Sequence, residues 1–87
     1  MIDKKECPCC KNLTLESRGN FETCPVCFWE DDPVQSDDTW LSGGANRVCL
    51  ELAKFTYFVT GCSDTKFRLL VRKPLSDELN PDKREIL

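Results

Sequence analysis

Four of the seven cysteines in this chain fall into two Cys-x2-Cys pairs, Cys7 with Cys10 and Cys24 with Cys27, and thirteen residues separate the pairs. A Cys-x2-Cys step lets one tight turn aim two thiolates at a single ion, and two such turns supply the four sulfurs of a closed tetrahedron. All-sulfur ligation suits zinc, or iron in a rubredoxin-like site, and closed four-thiolate sites are the common structural solution for zinc. One structural Zn2+ held by Cys7, Cys10, Cys24 and Cys27 is therefore expected. Cys9 competes with Cys10 for the fourth place, but Cys7-x-Cys9 is a tighter bite, so Cys10 is preferred. Four protein ligands leave no position for water, and a catalytic metal is not expected.

Other chemistry is thinly supplied. The chain has no histidine to act as a base or to pair with Ser or Cys, and no glycine-rich phosphate loop, so enzymatic activity is not expected. Five acids and no base lie between residues 30 and 38: Glu30, Asp31, Asp32, Asp37 and Asp38. An acidic loop is most often solvated surface. Here Trp29 and Trp40 bracket it, and aromatic anchors among acids suit a basic partner, with the rings supplying burial and the charge steering association. Trp29, Glu30, Asp31, Asp32, Asp37, Asp38 and Trp40 are thus the candidate partner-binding residues. The competing expectation is that Phe28 and Trp29 pack under the β unit and Trp40 packs against a helix. Lys66, Arg68, Arg72 and Lys73 form a basic cluster suited to an acidic partner or to pairing with the acidic loop. Of the remaining cysteines, Cys49 reads as a small core residue, Cys62 as exposed in a Gly-Cys-Ser turn, and Cys9 as a spare thiol.

At 87 residues the chain has the length of one small domain, and 40% hydrophobic with 31% charged residues is a soluble, globular balance. Such a chain buries only roughly 60–65% of its unfolded surface, so a metal staple is physically useful. The formal charge of −3 counts thiols as neutral; four thiolates around a divalent ion add −4 + 2 = −2, giving about −5 when loaded. Nucleic-acid binders usually carry a basic surplus, so nucleic acid is disfavoured as a partner. No apolar stretch is long enough to span a bilayer and the opening residues are polar, which points to the cytoplasm, where thiols stay reduced.

The elements that must position the thiols follow from local pattern. Residues 13–17 alternate like a strand, Arg18-Gly19-Asn20 is turn chemistry, and residues 21–23 lead back into the second pair. Two strands and two knuckles make a zinc ribbon over about residues 5–32. Many such knuckles place Gly just after the second cysteine to accept positive φ; Lys11 and Phe28 stand there instead. Residues 33–46 read as an acidic and glycine-bearing loop, 47–74 as helical, and 75–87 as a polar tail or short terminal turn. Within the helical part, Val48, Leu52, Phe55 and Val59 recur at helical spacing and predict a helix over 48–60 with that stripe inward, ended by Gly61. Ser63 then caps a shorter helix running to about Val71, with Phe67, Leu70 and Val71 inward and Pro74 beyond. The expected fold class is α+β: a small zinc-ribbon β unit followed by one longer and one shorter α-helix in a single domain.

Several motifs recur together in order: CPCC at residues 7–10, TLE at 14–16, RG at 18–19, CPVCFWEDD at 24–32, Gln35, GGAN at 43–46 and VRKP at 71–74. Across roughly residues 5 to 76 they resemble the small bacterial cysteine-rich CPCC domain family. The resemblance implies a zinc-ribbon-like first half and a helical second half, and supplies no established enzymatic activity. This chain departs from it at Cys49, where a serine commonly opens the helix, and at Thr56-Tyr57, where an Asn-Phe pair is common. Small cysteine-rich proteins of this kind look like the accessory proteins that accompany bacterial toxins, some of them immunity proteins. The expected function is a zinc-stabilised protein-interaction module, monomeric or heterodimeric, that binds and neutralises a bacterial toxin domain. The alternatives are a zinc-ribbon nucleic-acid or transcription-associated module and a thiol-redox or rubredoxin-like electron-transfer protein.

Overall fold

In the computed structural model, which describes residues 3–81, each cysteine pair sits at the tip of its own antiparallel hairpin. Strand β1 (Lys5–Glu6) pairs with β2 (Leu13–Leu15), Lys5 opposite Leu15 and Glu6 opposite Leu13, with an irregularity between them. At the tip the Lys11 N–H donates to the Cys7 carbonyl and the Cys7 N–H to the Asn12 carbonyl, both at 2.9 Å. The second hairpin repeats the pattern: Phe28 N–H to Cys24 O at 2.8 Å and Cys24 N–H to Trp29 O at 2.9 Å, with Thr23 bridged to Glu30. Lys11 and Phe28 take φ of 69° and 68°, so both knuckles keep the left-handed turn without glycine.

The expected pairing of 13–17 with 21–23 is corrected. These segments pair with residues 5–6 and 29–31, each within its own hairpin. The Glu22 carboxylate accepts the N–H groups of Glu16 (2.9 and 3.0 Å) and Ser17 (3.3 Å), so the donors a direct ladder would need go to a side chain. Phe21 at φ 60° also breaks the extended run.

The small α+β class holds: a two-stranded antiparallel hairpin, four clustered cysteines and two helices. The order of the helices differs from expectation. The short one, α1 (Pro33–Asp37), lies in the segment read as a loop; Asp32 caps it by accepting from the N–H groups of Val34 and Gln35, and Pro33 opens it with the φ a first turn needs. The long one, α2 (Leu50–Thr60), starts at Cys49, which makes no side-chain cap bond, and stops at Gly61 (φ 87°), whose N–H reaches the Tyr57 carbonyl at 2.8 Å. Where a further helix was expected, only a 3-10 turn forms (Thr65–Phe67), capped by Asp64 rather than Ser63, and Leu70 is exposed. A second 3-10 turn (Ser76–Glu78) occupies the start of the expected tail, and Asn80 Nδ2 donates to the Lys11 carbonyl at 3.1 Å. The rest of that tail, 82–87, lies outside the described residues.

The inward stripe of α2 is also corrected. Val48, just ahead of the helix, packs against the core as expected, but within α2 it is Leu50 and Ala53 that are buried with Tyr57 beside them, whereas Leu52, Phe55 and Val59 are exposed. At 3.6 residues per turn Phe55 stands roughly opposite the core. Both sides of the helix are apolar, so periodicity alone did not choose between them. The core it faces contains Leu15, Val26, Trp29 and five cysteines: Cys7, Cys9, Cys10, Cys24 and Cys27. Aliphatic burial is small for a chain of this length, which leaves the sulfur cluster as the main centre of organisation.

Candidate metal centre

The two tips bring the Sγ atoms of Cys7, Cys10, Cys24 and Cys27 within 4.8 Å of one another, all four buried. Two cross-hairpin edges, Cys7–Cys27 and Cys10–Cys24, measure 3.7 Å. A disulfide would need about 2.05 Å. A tetrahedron with metal–sulfur bonds of about 2.3 Å has edges of roughly 3.8 Å, so the spacing fits a four-thiolate ion and not a covalent bridge. Each hairpin contributes two ligands, and the ion position lies where neither hairpin alone could enclose it. Cys9 is buried next to these residues but is not one of the four.

Four thiols this close compete for negative charge. The Cys24 thiol is pushed far down by hydrogen bonds from Cys10, Cys27 and Cys7, while its neighbours Cys10, Cys24 and Cys7 push the Cys27 thiol far up. One thiolate is stabilised at the expense of another, and only a positive ion lets all four ionise together. Thr14, on β2 and buried, lies 3.1 Å from Cys24 Sγ and can donate its hydroxyl to that sulfur. Tyr57 closes the site from α2: its hydroxyl accepts from Asn12 Nδ2 at 3.3 Å, and burial, with the nearby Cys10 charge adding, pushes it up to about 12.

The expected partner-binding residues separate into two groups. Trp29 is fully buried in the core, and Asp31 and Asp32 are buried, so these three are corrected to structural roles. Asp31 Oδ2 accepts from Arg18 Nε at 3.0 Å and Gly19 N–H at 2.6 Å. Asp32 caps α1 through one oxygen and takes the Ala45 N–H through the other at 3.0 Å; that bond, followed by those from Val34 and Gln35, holds its carboxyl below the usual range. Glu30 is half-buried, its backbone tied to the Asn46 side chain. Asp37, Asp38 and Trp40 are exposed, Trp40 at 76%, so Trp40 does not pack under the helix.

A polar latch was missed in the sequence. Buried Gln35 donates from Nε2 to the carbonyls of Leu41, Asn46 and Val48, and its Oε1 accepts from the backbone and side chain of Asn46. The DD, Gln and GGAN motifs are therefore one object: α1 holding the glycine-bearing loop. The Asp32-Pro33 step, an N-cap followed by a first-turn proline, was the signal available for it. The cysteine assignments are reversed, with Cys62 fully buried against Thr60 Oγ1 at 3.2 Å and Cys49 half-exposed. Arg72 of the basic cluster pairs with Glu78 at 2.8 Å rather than with the acidic loop. No helix among the described residues is long and apolar enough to cross a membrane.

Two knuckle hairpins presenting four buried thiols to one point, with a capped helix beneath, define a small thiolate-centred α+β domain. The family described as cysteine-rich CPCC matches residues 5–78, and the chain belongs to that family. No curated protein matches it.

Proposed function

We propose that this chain is a zinc-stapled protein-interaction module that neutralises a bacterial toxin domain by binding it and performs no catalytic step of its own. One Zn2+ held by Cys7, Cys10, Cys24 and Cys27 joins the two hairpins; the tetrahedral sulfur spacing supports this, and four-thiolate zinc is closed to substrate. The observation that carries the interaction role is α2, which covers the core with Leu50 and Ala53 yet turns Leu52, Phe55, Phe58 and Val59 to solvent. An exposed apolar stripe opposite the core-facing side of a helix is the kind of surface that a partner protein covers, and it supports the interaction reading.

Native mass spectrometry of the chain co-expressed with its neighbouring open reading frames tests both parts. The expected result is a colourless protein with one zinc, bound to a neighbouring product that arrests growth when expressed alone and is silent when co-expressed. A folded chain without zinc would remove the staple, and a red, iron-loaded one would favour electron transfer. A neighbouring product neither bound nor toxic would remove the toxin reading.

A further inference from the structure

We propose that the outer face of α2, continued onto Trp40, docks a basic protein surface; this rests on the interaction-module reading above and names the surface and the chemistry of its partner. The face is built from Leu52 (47% exposed), Phe55 (58%), Phe58 (52%) and Val59 (61%). At ordinary side-chain areas these four expose on the order of 400 Å², the size of the largest patches on soluble monomers, which are often functional. Trp40, itself exposed, lies in the turn held at the amino-terminal end of α2. The Glu51 N–H donates to the Thr39 carbonyl at 3.0 Å, fixing the 38–41 turn against the first turn of α2.

That turn brings charge with it. Asp37 and Asp38 are exposed beside Trp40, and neither forms an ion pair among the described residues. Glu51 is partly occupied by Lys54 at 3.9 Å. The surface is thus an apolar stripe with an acidic end on a chain of formal charge −3. A second copy is a poor occupant, because it would bring together two chains that each carry −3 and would set the acidic ends against like charge. A partner with an apolar groove and a Lys/Arg rim gains burial from Phe55 and Trp40 and attraction from Asp37 and Asp38.

The test uses the full zinc-loaded chain and a synthetic amphipathic helix with leucines on one face and lysines on the other. The same helix with glutamates replacing the lysines is the control. The lysine helix is expected to bind, shifting the NMR signals of Leu52, Phe55, Val59 and Trp40 and leaving buried Trp29 unmoved. Phe55→Ser, and separately the Asp37→Lys/Asp38→Lys pair, should each weaken binding about tenfold. All three positions are exposed, so unchanged circular dichroism and zinc content certify the fold of each variant. Equal binding of both helices, shifts centred elsewhere, concentration-dependent dimerisation of the free chain, or equal uptake by zwitterionic lipid vesicles would each overturn the proposal. A co-expressed toxin that binds both variants as tightly as the parent would also overturn it while leaving the interaction module standing. Helix binding with the expected pattern but no toxic neighbour would keep the surface and remove the toxin.

Discussion

Thr14 is a residue outside the four-cysteine cluster that touches one of its sulfurs. Its hydroxyl lies 3.1 Å from Cys24 Sγ and can donate to that sulfur once it is a thiolate. Thr14→Val keeps the shape and removes that donor, and is expected to weaken zinc affinity about tenfold in chelator competition, with Thr14→Ser restoring it. Full affinity in the valine variant would make the contact incidental. The clustering of the four cysteines was legible in the sequence because a two-residue spacer encodes one turn, whatever surrounds it. Thr14 was not, since its neighbour across space depends on which segments pair, and the expected pairing of 13–17 with 21–23 was displaced by the Glu22 carboxylate. The same limit made Asp31 and Asp32 look like free surface charge, when each is enclosed by donors contributed from elsewhere in the chain.

Among the elements, the latch between α1 and the 43–46 loop is the feature most sensitive to a single atom. A Cβ added at Gly44 would come within 2.6 Å of Asp32 Oδ2 and 2.8 Å of Gln35 Cδ. Because both of those groups are themselves hydrogen-bonded in place, neither can withdraw cheaply. Gly44→Ala is expected to cost about 1–3 kcal/mol, a fall in Tm on the order of 10 °C, whereas Gly43→Ala, at φ 77° with open space around it, strains only the backbone. Equal Tm for parent and Gly44→Ala would mean the loop is not held closely. Helix α2 was legible in its existence and in its glycine stop but not in its facing. Its apolar residues satisfy a helical period on either side, and the buried side was settled by which residues fit the hairpins: compact Ala53 and Tyr57, whose hydroxyl meets Asn12.

For the whole molecule the balance of protons sets the working range. Asp32 is held down by the N–H of Ala45 and Asp64 by the guanidinium of Arg47, which donates from Nη2 at 2.8 Å. Carboxyls depressed in the folded chain contribute stability that is complete above their unfolded value, about 3.9, and is lost as pH falls through their folded values. Denaturant midpoints are therefore expected to drop below about pH 4, with metal content followed in parallel, and Asp64→Asn should flatten that part of the profile. An unchanged profile would remove Arg47–Asp64 from the stability of the fold. Thiolate protonation acts in the same direction, since acid competes with the proposed zinc for every ligand.

The repeated hairpin also imposes a schedule on synthesis. Cys10 and Cys27 are 17 residues apart, so at about 5–20 residues per second the ribosome takes on the order of 1–3 s to supply the second pair. Throughout that interval the first knuckle is a two-sulfur half-site, able to exchange an ion but not to keep it. Metal capture thus belongs after both pairs have been made, and a chain whose second pair is removed keeps the first knuckle yet is expected to lose the ion.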